Sequence, residues 1–257
     1  MRPAHFLPVL LAALGLLELA GTGIGAESAA ELMGKGDVYY DKLQPAAALK
    51  FYLPAEKLDP NNVHLLVRIA RQYRHLMSDA AAKDEKLRLG NTAVNYAQRA
   101  VGLAPNDPEA QLAVAISCGK VLPFQGSKEQ MANSRVIKAA ADNVIALDPG
   151  NDLGWQVLGR WYFNVADVGT VKRALAQLAY GKLPAAKYED AVRCFEKAIA
   201  LNPNRLMHYI ELGRTYAQMG KADEAREFIT KGLAMPNTER DDPETKERGR
   251  QILAKLR

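Results

Sequence analysis

The sequence predicts an all-α protein: a right-handed superhelical solenoid of about five helical hairpins, with inserts in repeats two to four and a capping helix at the C-terminus. A recurring tetrapeptide is the first observation behind this. Leu58-Asp59-Pro60-Asn61, Leu103-Ala104-Pro105-Asn106 and Leu201-Asn202-Pro203-Asn204 are near copies, and Leu147-Asp148-Pro149-Gly150-Asn151 is a fourth. The second is that each copy follows an Ala-rich amphipathic run, as the stop of one helix and the start of the next hairpin would. The third is a fixed set of small or apolar positions on either side of each proline.

Counting back 12, 8 and 5 residues gives Ala48, Tyr52 and Ala55, then Ala93, Ala97 and Ala100, then Ile137, Ala141 and Val144, then Ala191, Phe195 and Ala198. These offsets share one helix face. Counting forward 6, 9, 10 and 13 residues gives Leu66, Ile69, Ala70 and Tyr73 after Pro60, and the weaker set Gln111, Val114, Ala115 and Cys118 after Pro105. Trp155, Leu158, Gly159 and Tyr162 follow Pro149, and Tyr209, Leu212, Gly213 and Tyr216 follow Pro203. Aromatic, Leu-Gly, Tyr, then Ala, Phe, Ala and Pro is the tetratricopeptide pattern.

The ends complete the array. Leu32, Gly36 and Tyr39 lead into Ala48 and Tyr52 as a first repeat, within which Pro54 costs a helix hydrogen bond, roughly 3 kcal/mol, and predicts a kink. The last repeat pairs Tyr209 to Met219 with Ala222 to Leu233. Asp242-Pro243 then reads as a cap and first-turn proline opening a charged terminal helix over the end of the stack.

The intervals between prolines, 45, 44 and 54 residues, exceed the roughly 34 of an ordinary repeat. The excess falls between the two helices of repeats two, three and four. In the fourth, Thr170 to Tyr180 reads as an added short helix, with Val171, Leu175 and Leu178 on one side.

The phrases Leu65-Leu66-Val67-Arg68-Ile69-Ala70-Arg71, Leu158-Gly159-Arg160-Trp161-Tyr162 and Ala179-Tyr180-Gly181-Lys182-Leu183-Pro184, with the same enlarged spacing, resemble the regulator of microtubule dynamics family. The likeness runs from about residue 28 to the C-terminus. It implies an all-helical repeat protein associated with microtubules or organelle membranes, in part of the family linked to lipid handling at membrane contacts.

The N-terminus departs from that family and reads as an export signal over residues 1–26. Arg2 precedes an apolar run from Phe6 to Leu17, and Gly21 to Ala26 supplies small residues for cleavage after Ala26. Pro8 and Glu18 bracket a stretch shorter than the roughly 20 residues a membrane span needs. The reading is thus an exported, periplasmic or secreted and bacterial relative, with a repeat domain over 27–257 and no transmembrane segment after cleavage. The alternative is an uncleaved N-terminal membrane anchor.

Arg2 and Glu18 cancel, so the mature chain keeps the net charge of +5, short of the basic clustering of a nucleic-acid binder. Cys118 and Cys194 read as packing residues. No phosphate loop, zinc hydrolase motif or nucleophile elbow is present, and His64 and His75 lack the carboxylates of a metal site. The expectation is a protein that is not an enzyme, with no cofactor and no metal.

Function is therefore sought on the first helix of each pair, which lines the inner groove. The candidate binding residues are Arg71 and Arg74 in repeat two, Gln156, Arg160 and Phe163 in repeat four, and Ile210 and Arg214 in repeat five. Arg71, Arg160 and Arg214 each lie 11 residues after a repeat proline, forming a row. Guanidinium groups among apolar side chains suit a ligand with an anionic end, because arginine holds carboxylate or phosphate through paired hydrogen bonds. The plainer reading is that these arginines pair with acids of neighbouring helices. Two functions follow: a scaffold taking a protein or peptide partner in the groove, or a binder of phospholipid or another anionic amphiphile. Microtubule association enters through the family name alone.

Overall fold

A computed structural model describes residues 27–169 and 185–256, which form eleven α-helices and no strand among the described residues. They are α1 (Ala29–Asp41), α2 (Pro45–Leu58), α3 (Val63–Asp79), α4 (Lys83–Leu103), α5 (Pro108–Val121), α6 (Ser127–Leu147), α7 (Asp152–Ala166), α8 (Tyr188–Leu201), α9 (Leu206–Gln218), α10 (Ala222–Ala234) and α11 (Asp242–Leu253). The signal reading of residues 1–26 and the added helix at Thr170 to Tyr180 lie outside the described residues.

Successive helices pair as hairpins, α1 with α2 through α9 with α10, and each second helix packs on the first helix of the next pair. This is a helical solenoid. The tetrapeptides hold it in register because all four adopt one backbone conformation. Asp59, Ala104, Asp148 and Asn202 end their helices at φ of −136° to −139° and ψ of 76° to 87°. Each donates its amide to the carbonyl four residues back, at 2.8 to 2.9 Å. The next helix is then capped from the same segment: Asn62 Oδ1 accepts from the Leu65 amide and Asn151 Oδ1 from the Gly154 amide, both at 3.0 Å, and Asp107 accepts from Glu109 and Ala110. Such caps satisfy amides that the helix leaves unpaired.

The two helices of a pair interlock through a glycine and an aromatic ring. A Cβ on Gly159 of α7 would lie 2.7 Å from the Phe195 ring of α8, and Tyr52 fills the equivalent space above Gly36. Helix α2 runs through Pro54 to Leu58, burying Ala48, Leu49, Tyr52 and Ala55. The extra residues of repeats two and three lengthen helices: α4 and α6 each run 21 residues against 14 in α2 and α8. A short 3-10 turn at Leu122–Phe124 accompanies the change in repeat three.

Helix α11 packs on α9 and α10 at the C-terminal end, as its charged sequence predicts, with Pro243 in its first turn. Asp241 and not Asp242 holds the N-cap position, without a side-chain capping bond, because the Asp242 carboxylate turns back to the Thr238 and Glu239 amides. The segment between α10 and α11 does something the repeat pattern does not indicate. Arg240 reaches Asp79 at 2.5 Å and the Leu43 carbonyl at 2.7 Å, while Asp241 meets Lys120 at 2.6 Å and Ser78 at 3.2 Å. The solenoid curls so far that its last connection touches its first three repeats.

Candidate functional site

The curl encloses a cavity of about 690 Å³ on the concave face, lined chiefly by α3, α5 and α7, with the end of α1, part of α6, the starts of α9 and α11, and the connection before α11. Its lining includes apolar side chains from four helices: Val67, Leu112, Ile116, Val157 and Met207 are half-buried, and Trp161 is buried, its Nε1 donating to the Ser134 carbonyl at 2.9 Å. These side chains recur on the first helices because a solenoid leaves each of them a narrow strip facing inward.

Most charges lining the cavity are paired. Arg68 meets Asp37 at 2.8 Å; Arg71 meets Glu239 at 3.0 Å, also donates to the Tyr40 hydroxyl and stacks on that ring. Arg205 bridges Asp152 and Glu239, each at 2.8 Å, and Lys120 meets Asp241 at 2.6 Å. Two cations have no carboxylate within ion-pair reach among the described residues, Arg74 and Arg160. Arg74 is buried and donates to Ser117 Oγ at 3.1 Å. Burial, then the neighbouring Arg71, pushes its pKa down to about 10, which leaves it charged at neutral pH. Beside it His75 is buried, with Nδ1 unpartnered among the described residues. Burial and Arg71 push its pKa down to about 3, so the ring is neutral.

Arg160 is exposed to solvent and makes no hydrogen bond or ion pair among the described residues. Its pKa is nevertheless lowered, first by desolvation, as befits a side chain ringed by protein inside a concavity. It stands where the main cavity joins a smaller one of about 310 Å³. The nearest acid in electrostatic terms is Glu211, a fully buried carboxylate already paired with Arg214 at 3.1 Å and Arg248 at 3.2 Å. Burial pushes the Glu211 carboxyl up, but Arg160, Arg248 and Arg214 together hold it below its ordinary value.

The structure brings Arg71, Arg74, Gln156 and Arg160 to this one cavity. Gln156 is buried with Oε1 2.8 Å from His208 Nδ1, and His208 Nε2 lies 2.8 Å from Asp152. The other three predicted positions are elsewhere. Arg214 does not line the cavity; its guanidinium lies 3.9 Å from the centre of the Phe163 ring and donates to Glu211, in keeping with the plainer, structural reading of that arginine. Phe163 and Ile210 are core residues, which corrects their placement in the groove. Phe163 packs among Phe195, Leu212 and Tyr188, and Ile210 among Leu206 and Ile229 beneath Gly232 and Gly249. The inward strip of a first helix is narrow: three residues on from Arg160, the side chain points into the next hairpin. At the last repeat α11 takes the place of that next hairpin.

Sequence reasoning missed Arg205, Asp152, Glu239 and Asp241. Asp152 opens α7 and Arg205 immediately precedes α9, helix starts at which the repeat pattern singles out no binding residue. Beyond Arg205, the acids of the last connection meet Arg71, Ser78 and Lys120, each more than 120 positions away, a proximity for which the repeat spacing holds no sign.

A family model described as Regulator of microtubule dynamics protein 1-3 matches residues 32–257. Regulator of microtubule dynamics protein 1 of Mus musculus is 25% identical over 228 residues, which is 88% of this chain and 74% of that protein. Regulator of microtubule dynamics protein 2 of Homo sapiens is 24% identical over 202 residues, 77% of this chain and 48% of that protein. Among solved structures, a thermophilic TPR protein of Thermus thermophilus superposes with a TM-score of 0.63 at 17% identity, over 88% of this chain and 100% of that one. MamA of Desulfovibrio magneticus gives 0.54 at 15% identity, over 81% of this chain and 94% of that one. At these identities the structural likeness establishes the fold alone.

Proposed function

Because this chain belongs to the regulator of microtubule dynamics family and folds as a tetratricopeptide-like solenoid, we propose that it is a non-catalytic binding protein whose concave cavity holds an anionic amphiphile. The observation that carries the proposal is Arg160, a charged side chain lining the cavity with no acid paired to it among the described residues. Arg74 adds a second cation without a carboxylate, and Val67, Leu112, Ile116 and Met207 offer an apolar surface beside both. A cavity of about 690 Å³ falls within the roughly 300–1,000 Å³ of small-molecule sites. The headgroup would face Arg160 and Arg74, each charged hydrogen bond contributing roughly 1.5–3 kcal/mol, and an acyl chain would lie against the apolar lining residues.

A second reading is a protein-interaction scaffold that takes an acidic segment of a partner. It is favoured by the way the cavity already accommodates peptide, the chain's own residues around Glu239 and Asp241. An export signal over residues 1–26 would place either activity outside the cytoplasm. The relatives' names speak of microtubule dynamics, a role to which no residue of the cavity is assigned.

Mass spectrometry of an organic extract of purified residues 27–257 separates the readings. A phospholipid or fatty acid at one per chain supports the first. A protein empty after preparation from lipid-rich cells overturns it and moves the weight to a protein partner.

A further inference from the structure

Two carboxylates lining the cavity come from the chain's last connection. Glu239 and Asp241 sit in the connection between α10 and α11, yet pair with cations contributed by α3, α5 and the start of α9. The connection is shaped for this. The buried Asp242 carboxylate accepts the backbone amides of Thr238 and Glu239, each at 2.7 Å, and so fixes a turn that presents Glu239 and Asp241 together. Arg240, between them, is anchored on Asp79 and the Leu43 carbonyl.

We infer that residues 238–241 are an autoinhibitory strap, in which Glu239 and Asp241 hold Arg71 and Lys120 in the place of a ligand's anionic group. Without the strap, the partners that Arg71 and Lys120 keep among the described residues are hydroxyls, those of Tyr40 and Ser78. With Arg74 and Arg160 they would make four cations lacking an acid. Arg205 would retain Asp152. The strap pairs are partly solvated, with Glu239 31% and Asp241 35% exposed, so they are weak enough to exchange. An anionic ligand therefore competes with the strap, and its apparent affinity is set by the fraction of molecules in which the strap is released. This rests on the reading of the cavity as an anion-holding site.

The test compares full-length protein with a Glu239→Gln/Asp241→Asn variant, which removes both charges while leaving the turn made by Asp242. Asp241 precedes α11 without a side-chain capping bond, so Asn there takes no cap away. Two readouts are taken: amide hydrogen exchange of residues 236–242, and titration with a dansyl-labelled undecanoic acid. The strap predicts faster exchange confined to that segment and about tenfold tighter probe binding by the variant. Unchanged exchange overturns the strap. Faster exchange with equal probe binding by both proteins overturns the inhibition while leaving the cavity reading intact. Faster exchange with no probe binding by either overturns the cavity reading and the inhibition with it. If the double variant fails to fold, Glu239→Gln alone carries the same comparison with a smaller expected change.

Discussion

Replacing Arg160 with alanine separates binding from folding. The side chain is exposed and, among the described residues, unpaired, so its removal takes no hydrogen bond from them and leaves none of their groups orphaned. Among the described residues its links are electrostatic, to Glu211 and Asp241 and to the like charges of Arg248 and Arg214; Glu211, the strongest of them, keeps Arg214 at 3.1 Å and Arg248 at 3.2 Å after the substitution. Stability should therefore change by less than about 1 kcal/mol, the range of substitutions away from packed or paired groups. Binding should change far more. One charged hydrogen bond of roughly 1.5–3 kcal/mol corresponds to about a 10- to 150-fold loss of affinity for an anionic amphiphile. Arg205→Ala is the matching control: it strips Asp152 and Glu239 of a partner in a partly buried network, and should cost about 2 kcal/mol of stability. Urea unfolding of both variants without ligand, followed by titration of a dansyl-labelled fatty acid, reads the two effects. If Arg160→Ala unfolds at markedly lower urea than Arg205→Ala, Arg160 is a structural cation. If the probe binds it as tightly as the parent chain, the headgroup assignment is wrong.

Other outcomes follow from the same structure. Phe163→Ala should cost about 3–5 kcal/mol, because the ring is buried among Phe195, Leu212 and Tyr188 and its removal leaves a cavity; a loss within about 1 kcal/mol in urea unfolding would return Phe163 to the groove. His75, with a folded pKa of about 3 against 6.5 unfolded, makes the unfolded chain bind the additional proton on acidification. Stability from this group is complete above pH 6.5 and falls as pH drops, by about 2 kcal/mol between pH 7 and 5. His208, also lowered, acts with the same sign. A His75→Gln variant should show a shallower loss over that interval in urea midpoints, and an identical slope would contradict a buried neutral ring. Cys118 and Cys194 are buried thiols pushed up to about 11 and about 12 by desolvation, so neither should be alkylated by iodoacetamide at pH 8 until the protein is unfolded.

Local chemistry and period determined the architecture. Ala48, Ala93 and Ala191 at one offset before a proline, and Asn62 and Asn151 just after one, specify where helices end, begin and turn their apolar faces, because capping and amphipathic packing act within about one helical turn. The same short-range order put Arg71, Arg74, Gln156 and Arg160 on first helices, facing one cavity. It misplaced Phe163 and Ile210, because whether a side chain at the margin of the inward strip meets the void or the next hairpin depends on how adjacent hairpins sit. It cannot separate Arg214, paired with Glu211, from Arg160, which has no ion pair among the described residues, since both occupy the same repeat position. The closing contacts, Arg71 with Glu239 and Lys120 with Asp241, lie furthest from the sequence's reach. They come from the accumulated rotation of five hairpins, a sum of small angles that no single repeat encodes, and that sum decides which charges meet and which remain available to a ligand.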